Sequence, residues 1–282
     1  MTSWREQARH VDGVEIHWRE AGPRSGPAAG AGPVSSNLPT IVYVHGNTGC
    51  NLWFEPVMSV PGYTVLAPDL PNFGLSGHLD QADIGVYADY LQQFLRDMHV
   101  ERCVLVGHSL GGAVAMRVAV DDPGLVAALV LIDSCPPGGL VTPEEHYPLI
   151  EQFRSDPALM QRALSGVCPA LDDTSMLQRL TQRALRMNPI AFAGNARALA
   201  RFSVEGQTGR FPGPVLVIHG SRDTIVTREM ARETADAFPR GRLVPVEHVG
   251  HSITLEDPAE FLKILDRFLT SLNPGTADQE NR

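Results

Sequence analysis

The serine in Gly107-His108-Ser109-Leu110-Gly111 is the first residue of chemical interest, because a hydroxyl lifted on a tight turn can attack a carbonyl carbon. Such a hydroxyl is a weak nucleophile unless a base takes its proton and a third group orients that base. Asp223, at the end of His219-Gly220-Ser221-Arg222-Asp223, and His251, directly after Gly250, supply an acid and a base. The order serine, acid, histidine is the one used where a G-x-S-x-G serine stands on a strand-to-helix turn. Two rivals exist: Asp133 closes an apolar run and could serve as the acid, and His248 lies just before His251. Asp223 is preferred because its surrounding motif is complete and its order fits, and His251 for its Gly250 partner and its distance to the helix start that follows. His45, His108, His146 and His219 read as structural or pocket-lining. No pair of histidines has a metal-binding spacing with a third ligand, so neither a metal nor a cofactor is expected.

The elements that must position these groups are visible as short apolar runs. Val14–Arg19 alternates like a half-buried antiparallel edge strand. Ile41–Val44, Thr64–Ala67, Cys103–Val106, Leu129–Ile132, Val215–Ile218 and Leu243–Val246 suit strands, most of them covered on both faces of a parallel sheet. Cys103–Val106 ends just before the Ser109 turn, and Ala113–Val120 begins a helix just after it. Ile84, Tyr87, Tyr90, Leu91, Phe94, Leu95 and Met98 recur at helical spacing and predict a helix over Ile84–Met98. A last helix opens at Asp257-Pro258-Ala259-Glu260, with an N-cap, a proline at N1 and an acid at N3. Gly22–Pro39, rich in small residues and proline, is expected to be a flexible excursion, and the polar tail after Asn273 is expected to fray. Alternating strands and helices predict an open, mostly parallel α/β sheet.

Pro136 to Pro214 breaks the alternation with helical patterns and no convincing strand, and its eight arginines nearly balance seven acids. An insertion at this place is expected to cover the C-terminal edge of the sheet, where ligands bind in such folds. The expected organisation is a core of residues 1–135 and 215–282, with residues 136–214 as a helical cap after the sixth strand.

A net charge of −9 argues against nucleic acid as a partner, since no basic excess is available to neutralise phosphates. No apolar run is long enough for a membrane span, and charged residues near the N-terminus stand where a secretory signal would place apolar ones. Cys50, Cys103, Cys135 and Cys168 are scattered without a paired spacing, which suits reduced core thiols in a cytoplasmic protein. The oligomeric state is not legible.

Five motifs in order resemble those of the α/β-hydrolase family, over nearly the full chain. They are His45-Gly46-Asn47, the loop Asp69-Leu70-Pro71-Asn72-Phe73-Gly74-Leu75-Ser76, the Ser109 elbow, the Asp223 turn and the Gly250-His251 loop. The second is similar to the family's D-x-P-G-F-G-x-S, with Asn72 in place of a glycine. The resemblance implies a serine hydrolase of the esterase or lactonase type. In it, Ser109, Asp223 and His251 form the triad, and the backbone N–H groups of Asn47 and Leu110 form the oxyanion hole. Asn47 with the downstream Trp53 is also similar to haloalkane dehalogenases. Those enzymes and the epoxide hydrolases of this fold carry an aspartate where Ser109 stands, so neither chemistry is expected. Carbon–carbon bond hydrolases share the triad but often have an aromatic residue after the histidine, where this chain has Ser252. The expected activity is cleavage of an ester, lactone or thioester of a small to medium apolar molecule. An acyltransferase, a carbon–carbon bond hydrolase and a non-catalytic small-molecule receptor remain as alternatives.

Overall fold

The computed structural model describes residues 4–23 and 40–272, so most of the Gly22–Pro39 excursion and the tail after Asn273 lie outside the described residues. The chain begins with β1 (Trp4–Val11) and β2 (Val14–Ala21), antiparallel and joined at Asp12-Gly13. Both turn residues have positive φ, +46° and +82°, as a two-residue hairpin turn with the right twist requires. Next come β3 (Thr40–Val44), β4 (Val65–Pro68), α1 (Ile84–Asp97), β5 (Cys103–His108), α2 (Leu110–Asp121) and β6 (Val126–Ile132). Helices α3 (Tyr147–Gln152), α4 (Pro157–Val167), α5 (Thr174–Ala184) and α6 (Ala191–Arg201) follow with no strand between them. The chain then returns to the sheet with β7 (Val215–Gly220), α7 (Arg228–Asp236), β8 (Gly241–Val246), α8 (Ile253–Glu256) and α9 (Pro258–Leu272).

The eight strands form one sheet in the order β1-β2-β4-β3-β5-β6-β7-β8, antiparallel at β1–β2 and β2–β4 and parallel elsewhere. β3, β4, β5 and β7 are buried along their whole length, which is why they read as continuous apolar runs rather than alternations. Helix starts are fixed by side chains. Asp83 accepts from the N–H groups of Gly85 and Val86 to begin α1, and Asp257 accepts from Glu260 N–H at 3.0 Å to begin α9. The ends of β3, β5, β6 and β7 face one edge of the sheet, and the loops leaving them carry His45, Ser109, Asp133 and Asp223.

The approach of α2 to β3 has no room for a side chain. A Cβ on Gly111 would lie 2.2 Å from the Val44 carbonyl oxygen and 2.5 Å from that of His45. Both obstacles are backbone, so they cannot swing aside. Gly111→Ala is therefore expected to cost about 1–3 kcal/mol or more, seen as a lowered midpoint in urea unfolding. An unchanged midpoint would show that helix and strand separate without cost.

Candidate active site

Ser109 links β5 to α2 with φ +54° and ψ −118°, a conformation that L-residues rarely adopt. It is held there from both sides. Its N–H donates to the Ile132 carbonyl at 3.0 Å, and its carbonyl accepts from Gly112 N–H at 2.9 Å. A Cβ on Gly46 would come within 2.8 Å of the Ser109 Cβ, so the His45-Gly46-Asn47 loop packs directly on the serine. The backbone N–H groups of Asn47 and Leu110 donate no hydrogen bond among the described residues. For Leu110, the first residue of α2, no intrahelical partner is possible.

His251 Nδ1 lies 2.7 Å from Asp223 Oδ2, and both side chains are buried. Asp223 Oδ1 accepts from the N–H groups of Ile225 at 2.7 Å and Val226 at 3.2 Å. Burial alone would raise the Asp223 carboxyl. The hydrogen bond and charge of His251, with those two backbone donors, hold it below the usual carboxylate range. The structure thus brings Asp223 and His251 together, whereas no hydrogen bond joins Ser109 Oγ to His251 Nε2. Such contacts often tighten only when a substrate is present.

His248, the rival base, is exposed and lies 3.9 Å from Asp257 rather than near Asp223. Asp133, the rival acid, is only 1% exposed and sits beside Asp223, because β6 and β7 are neighbours and both end there. Its Oδ1 accepts from Gly220 N–H at 2.9 Å. Asp133, Asp223 and His219 each bring one side-chain N or O atom within 4.8 Å of the others. Burial first, then the Asp223 charge, push the Asp133 carboxyl well above its ordinary value, although Gly220 N–H opposes the shift. Two adjacent carboxyls cannot both ionise cheaply, so Asp223 carries the negative charge more readily than Asp133.

Three residues that the sequence reading did not assign to the site brace it. His108 Nε2 lies 2.7 Å from the His251 carbonyl oxygen, with its ring 4.9 Å from the His251 ring and stacked on Trp53. Burial, then the His251 charge, holds its pKa down to about 3, so neutral His108 donates to that carbonyl. Glu256 accepts from the N–H groups of Gly250, Ser252 and Ala170, tying the histidine loop to the chain between α4 and α5. Asn195 on α6 donates to Asn47 Oδ1 at 2.8 Å, and that oxygen also accepts from Thr48 N–H. Asn195 Oδ1 in turn accepts from Tyr87 hydroxyl, which accepts from Asn72 Nδ2. Asn72, at φ +78°, accepts from Asn188 Nδ2 at 3.0 Å. The replaced glycine thus leaves the left-handed backbone in place and adds an amide that binds both α1 and the turn before α6. Only the side-chain types hinted at this chain, since its members lie far apart in sequence.

Asn195→Ala leaves Asn47 Oδ1 and the Tyr87 hydroxyl each short of a buried partner. It is expected to lower stability by about 1–3 kcal/mol, measured by urea unfolding, and to raise the mobility of the Asn47 loop. A loss below a few tenths of a kcal/mol would mean that water replaces the amide.

A strained serine between a parallel strand and a helix, beside a buried acid–histidine pair and two open N–H groups, defines a class: hydrolases built on an α/β sheet. Residues 41–264 match the Alpha/beta hydrolase family, and the chain belongs to that family. It is 26% identical over 253 residues to the sn-1-specific diacylglycerol lipase ABHD11 of Mus musculus, covering 83% of this chain and 82% of the relative. It is 27% identical over 282 residues to the dihydrolipoyllysine-residue acetyltransferase component of the acetoin cleaving system of Cupriavidus necator, covering 93% of this chain and 68% of the relative. Among solved structures, the enol-lactonase from Burkholderia xenovorans LB400 superposes with a TM-score of 0.81 at 20% identity, covering 94% of this chain and 100% of that one. Hydrolase chemistry is therefore supported at the level of the family. No helix among the described residues is long and apolar enough to cross a membrane.

Proposed function

We propose that the chain is a serine hydrolase that cleaves a carboxylic ester, lactone or thioester of a small to medium apolar molecule through an acyl-enzyme on Ser109. The observation that carries this reading is the strained Ser109 elbow set beside the 2.7 Å His251–Asp223 pair. His251 takes the Ser109 proton on Nε2 as Oγ bonds to the carbonyl carbon, and Asp223 stabilises the resulting imidazolium. The backbone N–H groups of Asn47 and Leu110 receive the developing oxyanion, each worth about 2.7–4 kcal/mol in the transition state. As the tetrahedral intermediate collapses, the bond to the leaving oxygen or sulfur breaks and His251 returns the proton to it. Water then repeats the sequence on the acyl-enzyme and frees the acid.

On this reading residues 136–214 form a helical cap over a core of residues 1–135 and 215–282, and Asn195 is a cap residue that reaches the oxyanion loop. The four buried free cysteines suit a cytoplasmic setting. A second reading, acyl transfer, draws support from the likeness to an acetyltransferase component. It uses the same acyl-enzyme with an alcohol, thiol or amine in place of water.

The test is labelling with a fluorophosphonate probe, read by intact mass, on wild type and Ser109→Ala. One adduct on the wild type and none on the variant is expected. No adduct on folded wild type would overturn the reading in favour of a silent triad and a receptor. Faster product formation on adding an acceptor would move transfer ahead of hydrolysis.

A further inference from the structure

A cavity of about 420 Å³ opens between α5 and the core, lined by Leu52, Leu75, Arg179, Gln182, Arg183 and Arg186. Arg179, Gln182 and Arg183 share one face of α5, and Arg186 lies in the turn after it, so the polar wall is a single run of donors. Leu52 and Leu75 form the opposite, apolar wall.

Arg19, Arg179, Arg183 and Arg186 gather here with Glu6, Glu55, Asp69 and Asp173, on a chain whose net charge is −9. Glu55 is fully used: it takes Arg179 in two hydrogen bonds, at 2.8 and 2.6 Å, and also pairs with the buried Arg19. Arg19 further holds Glu6 at 3.1 Å. The buried Asp69 carboxylate is spent on the N–H groups of Asn51 and Leu75. Arg183 is left with Glu6 at 3.7 Å and Asp69 at 3.9 Å, both beyond hydrogen-bond distance. Its Nη1 is buried with no hydrogen-bond partner. Arg186 is exposed and has no carboxylate within ion-pair distance among the described residues.

Arg183 and Arg186 thus line the cavity with no carboxylate within hydrogen-bond distance, and their N–H groups that face the opening are available to an acceptor from outside the chain. Guanidinium groups match the oxygens of a carboxylate or phosphate, and leucine side chains match carbon. We propose that this cavity binds the carboxylate or phosphate group of a small amphiphile, with Arg183 and Arg186 holding the oxygens and Leu52 and Leu75 packing its apolar stem. The site shares no residue with the Ser109, Asp223 and His251 constellation, so it stands whether or not the hydrolase reading does.

The test is isothermal titration of the full chain with inorganic phosphate and, separately, with hexanoate, at low ionic strength. Saturable binding of at least one anion is expected, weakened about tenfold or more in Arg183→Gln and in Arg186→Gln. Tighter binding of hexanoate would assign the site to an alkyl carboxylate, and tighter binding of phosphate to a phosphate group. Because Arg186 is exposed, Arg186→Gln keeps the test valid if Arg183→Gln fails to fold. Ser109→Ala is expected to bind as wild type does. No saturable binding of either anion, undiminished binding by Arg186→Gln, or loss of binding in Ser109→Ala would each overturn the proposal.

Discussion

Ser109→Ala is expected to lower kcat by about four orders of magnitude or more while the protein stays folded. Nucleophile, base and acid act as a unit, so removal of the oxygen that bonds to carbon leaves only binding and oxyanion stabilisation. Stability is expected to change little. The Ser109 side chain caps no helix and makes no hydrogen bond among the described residues, so its loss leaves no buried partner stranded. Alanine inherits the positive φ, so the strain of the turn stays as well. The measurement is steady-state turnover of an activated ester alongside a urea unfolding curve. A variant that keeps a tenth of the wild-type rate would end the assignment of Ser109 as nucleophile.

The second large effect separates two neighbouring acids. Asp223→Asn is expected to lower kcat by about 10⁴-fold, since an amide cannot stabilise the imidazolium and favours the wrong tautomer of His251. Asp133→Asn is expected to stay within about tenfold of wild type, because His251 is paired with Asp223 and an amide oxygen can still accept from Gly220 N–H. The reverse pattern would make Asp133 the acid. The two variants also differ in stability. The Asp133 carboxyl is raised by burial and by Asp223, so the folded state holds its proton more tightly than the unfolded state. Its contribution is greatest below the unfolded carboxylate pKa and is lost as pH rises towards the folded value. Asparagine cannot titrate, so Asp133→Asn is expected to flatten that loss and to gain stability relative to wild type as the pH rises above about 4. An unfolding series across pH reads this directly.

Much of the fold was legible because its strands are covered on both faces. Ile41–Val44, Cys103–Val106, Leu129–Ile132 and Val215–Ile218 all lie within observed strands. The strand at Trp4–Val11 was not legible, since six of its eight residues are exposed and no apolar alternation marks it. Its one signal was the Asp12-Gly13 pair, whose positive φ angles close the hairpin and make β2 an inner strand rather than the edge. In the site, the sequence supplied candidates and the sheet supplied adjacency. Asp133 and Asp223 read as rivals in sequence, yet they are neighbours in space, because β6 and β7 pair in parallel. The amide chain from Asn47 to Asn188 spans the Asn47 loop, α1 and α6, and no local periodicity could signal it.

The histidine loop is bonded to the helical segment by more than Glu256. His251 N–H donates to the Val167 carbonyl at 2.8 Å, and a Cβ on Gly250 would strike Pro169 at 2.4 Å. The end of α4 and the turn after it therefore fix the backbone that carries His251. Rigid lifting of the segment that carries α3–α6 would break this bond, the Ala170–Glu256 bond and the Asn195–Asn47 bond together. An open form made in that way would have a displaced base and a loosened oxyanion loop at the moment water had freest entry. On the proposed mechanism, an acyl group on Ser109 would then lack its aligned base for as long as the segment is raised.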